Sequence, residues 1–213
     1  MFKFWSQMKR GQRIHPADKA AFKRMNPKRH GFQLQCLPAP FSGRLRTAPV
    51  VLLYLSPGYG KTDDADAKSK SGKDYYFRRW KGNEPVRDSG PGAKWYKGRT
   101  RVFGDFEIVR KKIAVLNIGL YHSKTVQSYA CLLALPSSRQ TLDWAQNHLF
   151  IEARRGKRIV ICMRSPSYWG LERGKKYRGM LFAPKTTRSG YLIKDRSGKE
   201  IIQLVKKRIG AIN

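Results

Sequence analysis

Acid is what this chain lacks most: 14 Asp and Glu stand against 45 Lys and Arg, a formal net charge of +31 over 213 residues. A surface that positive repels itself unless something anionic meets it. Nucleic acid is the expected partner, because Lys and Arg neutralise phosphates and release their counterions. An anionic membrane surface competes for that role, but no basic amphipathic helix of adequate length stands out. Cysteine is sparse too. Cys36, Cys131 and Cys162 are odd in number and widely spaced, and no CxxC or Cys/His spacing suggests zinc. Neither metal nor cofactor is expected, and the thiols fit a reducing cytoplasm. Long apolar runs are missing as well. No segment is long enough to span a bilayer, and Met1 to Arg10 has no signal-peptide core. What is present, 40% hydrophobic and 12% aromatic residues, excludes wholesale disorder and is enough for one full core.

The pattern divides the chain into a basic arm, residues 1–48, and an α/β domain, residues 49–213. The arm carries many cations and one acid, Asp18, with Pro27, Gly31, Pro38, Pro40 and Gly43 interrupting it. It reads as a strap across a nucleic-acid backbone. In the domain, Val50 to Leu55 is an unbroken apolar run closed by Ser56-Pro57-Gly58-Tyr59-Gly60, the signature of a strand buried on both faces. Ile113 to Gly119, with the polar Asn117 towards its carboxyl end, and Arg158 to Met163 are two more such strands. Lys68 to Lys73 reads as a solvated, mobile stretch and Gly82 to Gly104 as a long loop. Asp74 to Trp80 interleaves aromatics with Arg78 and Arg79, which suits either stacking plus phosphate contact or an amphipathic helix. A helix capped by Ser137 or Ser138 is expected to run to about Arg154. Tyr191 to Lys194 reads as an edge strand, and Lys199 to Ile209 as a final helix with Ile201, Leu204, Val205 and Ile209 inward. Strands separated by helical stretches predict a three-layer α/β/α fold around a mostly parallel sheet.

In a parallel sheet the carboxyl ends of the strands converge on one edge, where ligands bind. Three loops should therefore line one pocket: Ser56 to Tyr59, Asn117 with His122, and Arg164 to Ser167. Pro57 fixes one backbone angle, and Gly58 and Gly60 allow close approach by a ligand.

These residues resemble the uracil-DNA glycosylase superfamily, over about residues 50–210. Val-Leu-Leu-Tyr-Leu-Ser-Pro-Gly-Tyr-Gly is similar to the first motif, a strand ending in Asn-Pro-Gly in several branches. Ile-Ala-Val-Leu-Asn117 is similar to the strand whose terminal Asn hydrogen-bonds the flipped base. Met163-Arg164-Ser165-Pro166-Ser167 resembles the third motif, usually His-Pro-Ser-Pro, which leads into a loop that wedges into the duplex. The resemblance implies an enzyme that binds DNA, extrudes a uracil-like or modified base and hydrolyses its N-glycosidic bond. Asn117 offers the donor and acceptor that match such a base edge. Tyr59 would stack on the base, and Tyr168 or Trp169 would fill the gap in the duplex. Arg78, Arg79, Lys124, Ser165, Ser167, Arg173, Lys175 and Lys176 would hold the strand.

Two departures bear on chemistry. Ser56 stands where the family has an Asp or Asn to handle the attacking water, so Asp63 or Asp64 would substitute. Met163 stands at the usual His, leaving Arg164 to stabilise the departing base and His122 to supply an imidazole. A catalytically silent DNA-binding protein of the same fold is the alternative. A phosphate loop at Gly60-Lys61-Thr62 is a third, although Leu55 occupies the position of its first glycine.

Overall fold

In the computed structural model, which describes residues 1–90 and 92–211, the three apolar runs form the middle of a six-stranded sheet. The strands are β1 (Phe41–Ser42), β2 (Val50–Tyr54), β3 (Ile113–Asn117), β4 (Ile159–Cys162), β5 (Lys175–Lys176) and β6 (Leu181–Ala183). Their order is β1-β3-β2-β4-β6-β5. β3, β2, β4 and β6 run parallel, with Tyr54 beside Asn117 and Leu53 beside Cys162. Both edges are antiparallel. The sheet is thus mixed, not mostly parallel. One cause lies in the chain after Trp169, where β5 and β6 close a hairpin through Tyr177 N–H to the Leu181 carbonyl, 2.9 Å. A tight turn between neighbours forces opposite directions. Gly179 sits in that turn at φ +71°, and a Cβ there would meet the Ala153 and Arg154 carbonyls at 2.5 and 2.4 Å.

The central strands are buried on both faces, and the period of two sorts them into two cores. Val51, Leu53, Ala114, Leu116, Val160 and Cys162 point to one; Val50, Leu52, Tyr54, Ile113, Val115, Ile159 and Ile161 point to the other. Helices Ala93–Thr100, Phe106–Lys112 and Arg196–Ile209 carry the second core. The last helix starts at an Asp195 cap and turns Ile201, Ile202, Val205 and Ile209 inward, with Leu204 only half-buried.

The first core changes the view of residues 1–48. Trp5, Met8, Phe32, Leu37, Ala39, Phe41 and Leu45 are all buried in it, and β1 adds this segment to the sheet. Asp18, fully buried, accepts from Tyr121 Oη (2.7 Å) and from the Ser137 amide (3.0 Å). The segment is part of the core, not a strap. The apolar residues are spaced too irregularly among the cations to announce this in the sequence.

Other expectations shift locally. Lys68 to Lys73 is no mobile stretch: helix Lys61–Lys68 ends there, and helix Lys70–Arg79 begins on a Ser69 cap that accepts from the Gly72 amide. Gly82 to Gly104 contains helix Ala93–Thr100 and a 3-10 turn, Arg101–Phe103. The helix from Pro136 is not capped by a serine side chain; Asp18 supplies the acceptor from across the core. It passes through one π-helical turn, Ala145–Leu149, before ending at Arg154. Tyr191 to Lys194 makes only an isolated bridge, Leu192 to Thr186, and the sheet's edge on that side is β5.

Candidate base-binding cavity

The carboxyl ends of β2 and β3 are tied together before they reach any ligand. Ile118 and Gly119 amides donate to the Tyr54 and Leu55 carbonyls, at 3.2 and 2.8 Å. Further out, the Ser123 amide donates to the Pro57 carbonyl (3.1 Å), and Gly58 and Ser123 form a parallel bridge. The N-terminal segment closes this from behind: Ala39 N–H bonds Leu120, Gln33 N–H bonds His122, and Asn117 N–H bonds Pro40. Two loops are thereby held as one wall.

That wall faces a cavity of about 690 Å³. Ser56, Pro57, Gly58, Tyr59, Asp63, Arg79, Asn117 and His122 line it, joined by Tyr75, Tyr76, Arg87, Trp95, Arg99 and Tyr191. A volume of this size suits a ligand larger than one ring, within the roughly 300–1,000 Å³ of small-molecule sites. Gly58 has no heavy atom within 4 Å of where its Cβ would stand, so the backbone there is open to approach.

Asn117, buried at the end of β3, donates through Nδ2 to the Ala39 carbonyl at 3.0 Å. That bond fixes the amide and leaves Oδ1 without a hydrogen bond among the described residues. The side chain is satisfied on one side and available on the other. His122 is buried with Nδ1 2.7 Å from the Gly58 carbonyl; a carbonyl only accepts, so Nδ1 carries a proton. Its Nε2 is buried without a bonded partner, although the Leu37 carbonyl lies near enough to favour the charged ring. Burial pushes the imidazole below its ordinary value, opposed by the Asp63 charge and then by the Gly58 carbonyl.

The two aspartates part company. Asp63 is buried, lines the cavity and lies 3.7 Å from His122 Nδ1, while its Oδ2 accepts from the Gly60 amide at 2.7 Å. Asp64 turns away and accepts from Tyr59 Oη (2.7 Å) and Cys36 Sγ (3.3 Å). Tyr59's hydrogen bond is the main cause holding the Asp64 carboxyl below its usual range. Burial, with Asp64 close by, pushes the Cys36 thiol up to about 12. The Gly60 amide also bears on the phosphate-loop alternative. The start of helix Lys61–Lys68, where a phosphate would sit, is capped by the protein's own Asp63 carboxylate.

The third loop does not join the cavity. Arg164 is exposed and outside the lining, packed instead against Gly190. Ser165 holds φ +54°, a positive φ unusual for a residue with a side chain, and Pro166 starts a 3-10 turn to Trp169. Trp169 is fully buried and cannot wedge into a duplex. Tyr168, half-buried, stacks on exposed Tyr129 at 4.7 Å and 7°. Arg79 is also buried, donating to the Phe41 carbonyl and to Ser42 Oγ, so it faces the cavity rather than a strand outside. Arg78 is exposed and pairs with Glu84 at 3.2 Å. Lys124, Ser167, Arg173, Lys175 and Lys176 are exposed, with Lys124 6.0 Å from the Tyr59 ring and Lys175 3.1 Å from Glu172. Among the described residues no His, Cys, Asp and Glu cluster that could hold a metal is present, and no helix is long and apolar enough to cross a membrane.

No protein-family model and no curated protein matches this chain. Sequence reasoning missed Arg87, Arg99, Tyr75 and Tyr76 as cavity residues. Trp95 and Arg99 stand four apart, one helical turn, in a stretch free of proline. That spacing was the available signal, masked by the Gly- and charge-rich surroundings.

Proposed function

We propose that the protein is a DNA glycosylase-like enzyme that flips a uracil-like or modified base into this cavity and hydrolyses its N-glycosidic bond. The observation that carries the reading is the pairing, on one cavity wall, of an amide fixed by Ala39 with a carboxylate, Asp63, beside an imidazole. Asn117 presents Oδ1 to the donor on the base edge. Tyr59 supplies a ring against its face. Asp63 takes the water-orienting role that Ser56, a weak base, cannot fill, with His122 beside it at 3.7 Å. The exposed Arg164, Arg173, Lys175, Lys176 and Lys124 contact backbone phosphates, and the Tyr129–Tyr168 stack takes the wedge role in place of Trp169. In this reading the two cores form the outer layers of a uracil-DNA glycosylase-like three-layer fold, and the protein is DNA-associated in the cell.

One observation favours a catalytically silent binder. Asp63 Oδ2 is already engaged by the Gly60 amide, and Ser56 offers no base. Duplexes carrying uracil, hydroxymethyluracil or other modified bases separate the two, with alkali-labile abasic sites as the readout. The enzyme reading expects cleavage that Asp63→Asn slows by about 10²–10⁴-fold, the worth of a positioned acid–base group. Asp64→Asn should leave the rate within a few-fold. Salt-sensitive DNA binding with no abasic sites on any modified base would leave only the binder.

A further inference from the structure

Resting on that reading, a second feature extends what the cavity takes. Helix Ala93–Thr100 contributes a further part of the cavity lining and brings Trp95 and Arg99 into it. The Arg99 guanidinium lies over the Tyr191 ring at 3.8 Å and near the Trp95 ring at 5.5 Å. It has no carboxylate partner within 4.0 Å among the described residues, and its Nε is buried with no hydrogen-bond partner. The other arginines of the cavity are engaged: Arg87 with Asp66, Arg79 with Phe41 and Ser42.

A guanidinium held half-buried between two aromatic faces, with a dry N–H and no counterion, costs free energy that an oxyanion would recover. Arg is suited to such a place because its planar fork both stacks on rings and grips phosphate. The slot is also in line with the base end. Asn117 and Tyr54 are neighbours across β3 and β2 on the same sheet face, and the Tyr54 ring is 4.9 Å from Trp95. Tyr54 itself is locked, its hydroxyl donating to the Gly190 carbonyl at 2.9 Å. Asn117, Tyr54, Trp95 and Arg99 are thus successive neighbours, the last two steps 4.9 and 5.5 Å. The cavity of about 690 Å³ that Asn117 and Arg99 both line has room for a nucleoside with its phosphate.

We infer that the Trp95–Arg99–Tyr191 slot binds a phosphate oxyanion esterified to the nucleoside whose base meets Asn117, so that the cavity recognises a whole nucleotide. The phosphate comes either from the strand or from a free nucleotide. Titration calorimetry on the full chain tests this with deoxyuridine, its 5′-monophosphate, inorganic phosphate, and a trinucleotide with central deoxyuridine. Thymidine, deoxycytidine and 5-hydroxymethyldeoxyuridine are run with their monophosphates in parallel. The expected result is a monophosphate or trinucleotide bound at least about tenfold more tightly than its nucleoside. Arg99→Gln should abolish that gain while leaving nucleoside affinity unchanged, and Arg99→Lys should restore only part. Asn117→Leu should weaken the nucleosides themselves. Thermal unfolding of each variant confirms that it folds, and Trp95→Ala, at an exposed ring, gives a second perturbation of the slot if Arg99→Gln does not. A gain seen only with the trinucleotide assigns the phosphate to a strand; one seen with the monophosphate alone assigns it to a free nucleotide. Equal affinity for nucleoside and phosphorylated forms, or a gain that survives Arg99→Gln, would overturn the slot and leave base binding at Asn117 standing. Arg99-dependent phosphate binding with no contribution from any of the four bases would keep the anion slot and remove the glycosylase reading.

Discussion

Replacing Asp18 by alanine is the sharpest test of how residues 1–48 belong to the molecule. The carboxylate is fully buried, with Oδ2 on Tyr121 Oη at 2.7 Å and Oδ1 on the Ser137 amide at 3.0 Å. Hydrogen bonds to a charged group contribute about 1.5–3 kcal/mol each, and leaving a buried partner orphaned adds to the loss. Two such bonds give an expected destabilisation of about 3–5 kcal/mol, the size seen when buried polar pairs are broken from one side. In a chain of 213 residues, about 2–4 °C per kcal/mol puts the melting temperature down by roughly 6–20 °C. Tyr121→Phe, which removes one of the two bonds and also the acceptor of the His15 amide at 3.2 Å, should show at least half the effect. Reversible urea unfolding followed by tryptophan fluorescence reads both variants. A change within about 0.5 kcal/mol, the scatter of surface substitutions, would refute the argument and restore residues 1–48 as a detachable strap.

Two further outcomes follow from buried titratable groups. His15, His30 and His122 are each lowered mainly by burial, so the folded state binds fewer protons than the unfolded one below their ordinary value. Their stabilisation is complete above about pH 6.5 and fades as the pH falls below it. The melting temperature measured from pH 7.5 to 5 should drop, and a rise or a plateau would contradict the assignment. Cys36 and Cys162 are both raised to about 12 and buried, so iodoacetamide at pH 7.5 should leave them untouched until the protein is unfolded. Mass spectrometry showing either labelled in the native protein would overturn that.

The central strands were legible because burial on both faces leaves an uninterrupted apolar run, which no solvated element tolerates. β1, β5 and β6 were not, since two or three residues carry no period. The wall built from Ser56 to Tyr59 and Asn117 followed from parallel topology alone. The third loop escaped that logic because its backbone turns sharply at Ser165 and buries Trp169, taking Arg164 out to solvent. Charge was the main source of error. Cations that looked like a DNA-binding surface around residues 1–48 decorate a segment whose Trp5, Met8 and Phe32 fill the core, while Arg79 and Arg99 sit in the cavity. Charge density along a sequence does not say which side of the chain faces water.

The buried first segment also sets an order on folding. Asp18 waits for Ser137, 119 residues later, and Phe2 packs against Trp144 at 5.8 Å. At about 5–20 residues per second of synthesis, roughly 6–24 s separate the appearance of Asp18 from that of its partner. During that interval Trp5, Met8, Phe32 and Leu37 have no core to enter. A ribosome therefore displays a cationic, aromatic-rich polypeptide for several seconds before the sheet exists to receive it. Until then its apolar side chains stay exposed, the condition under which incompletely folded chains aggregate.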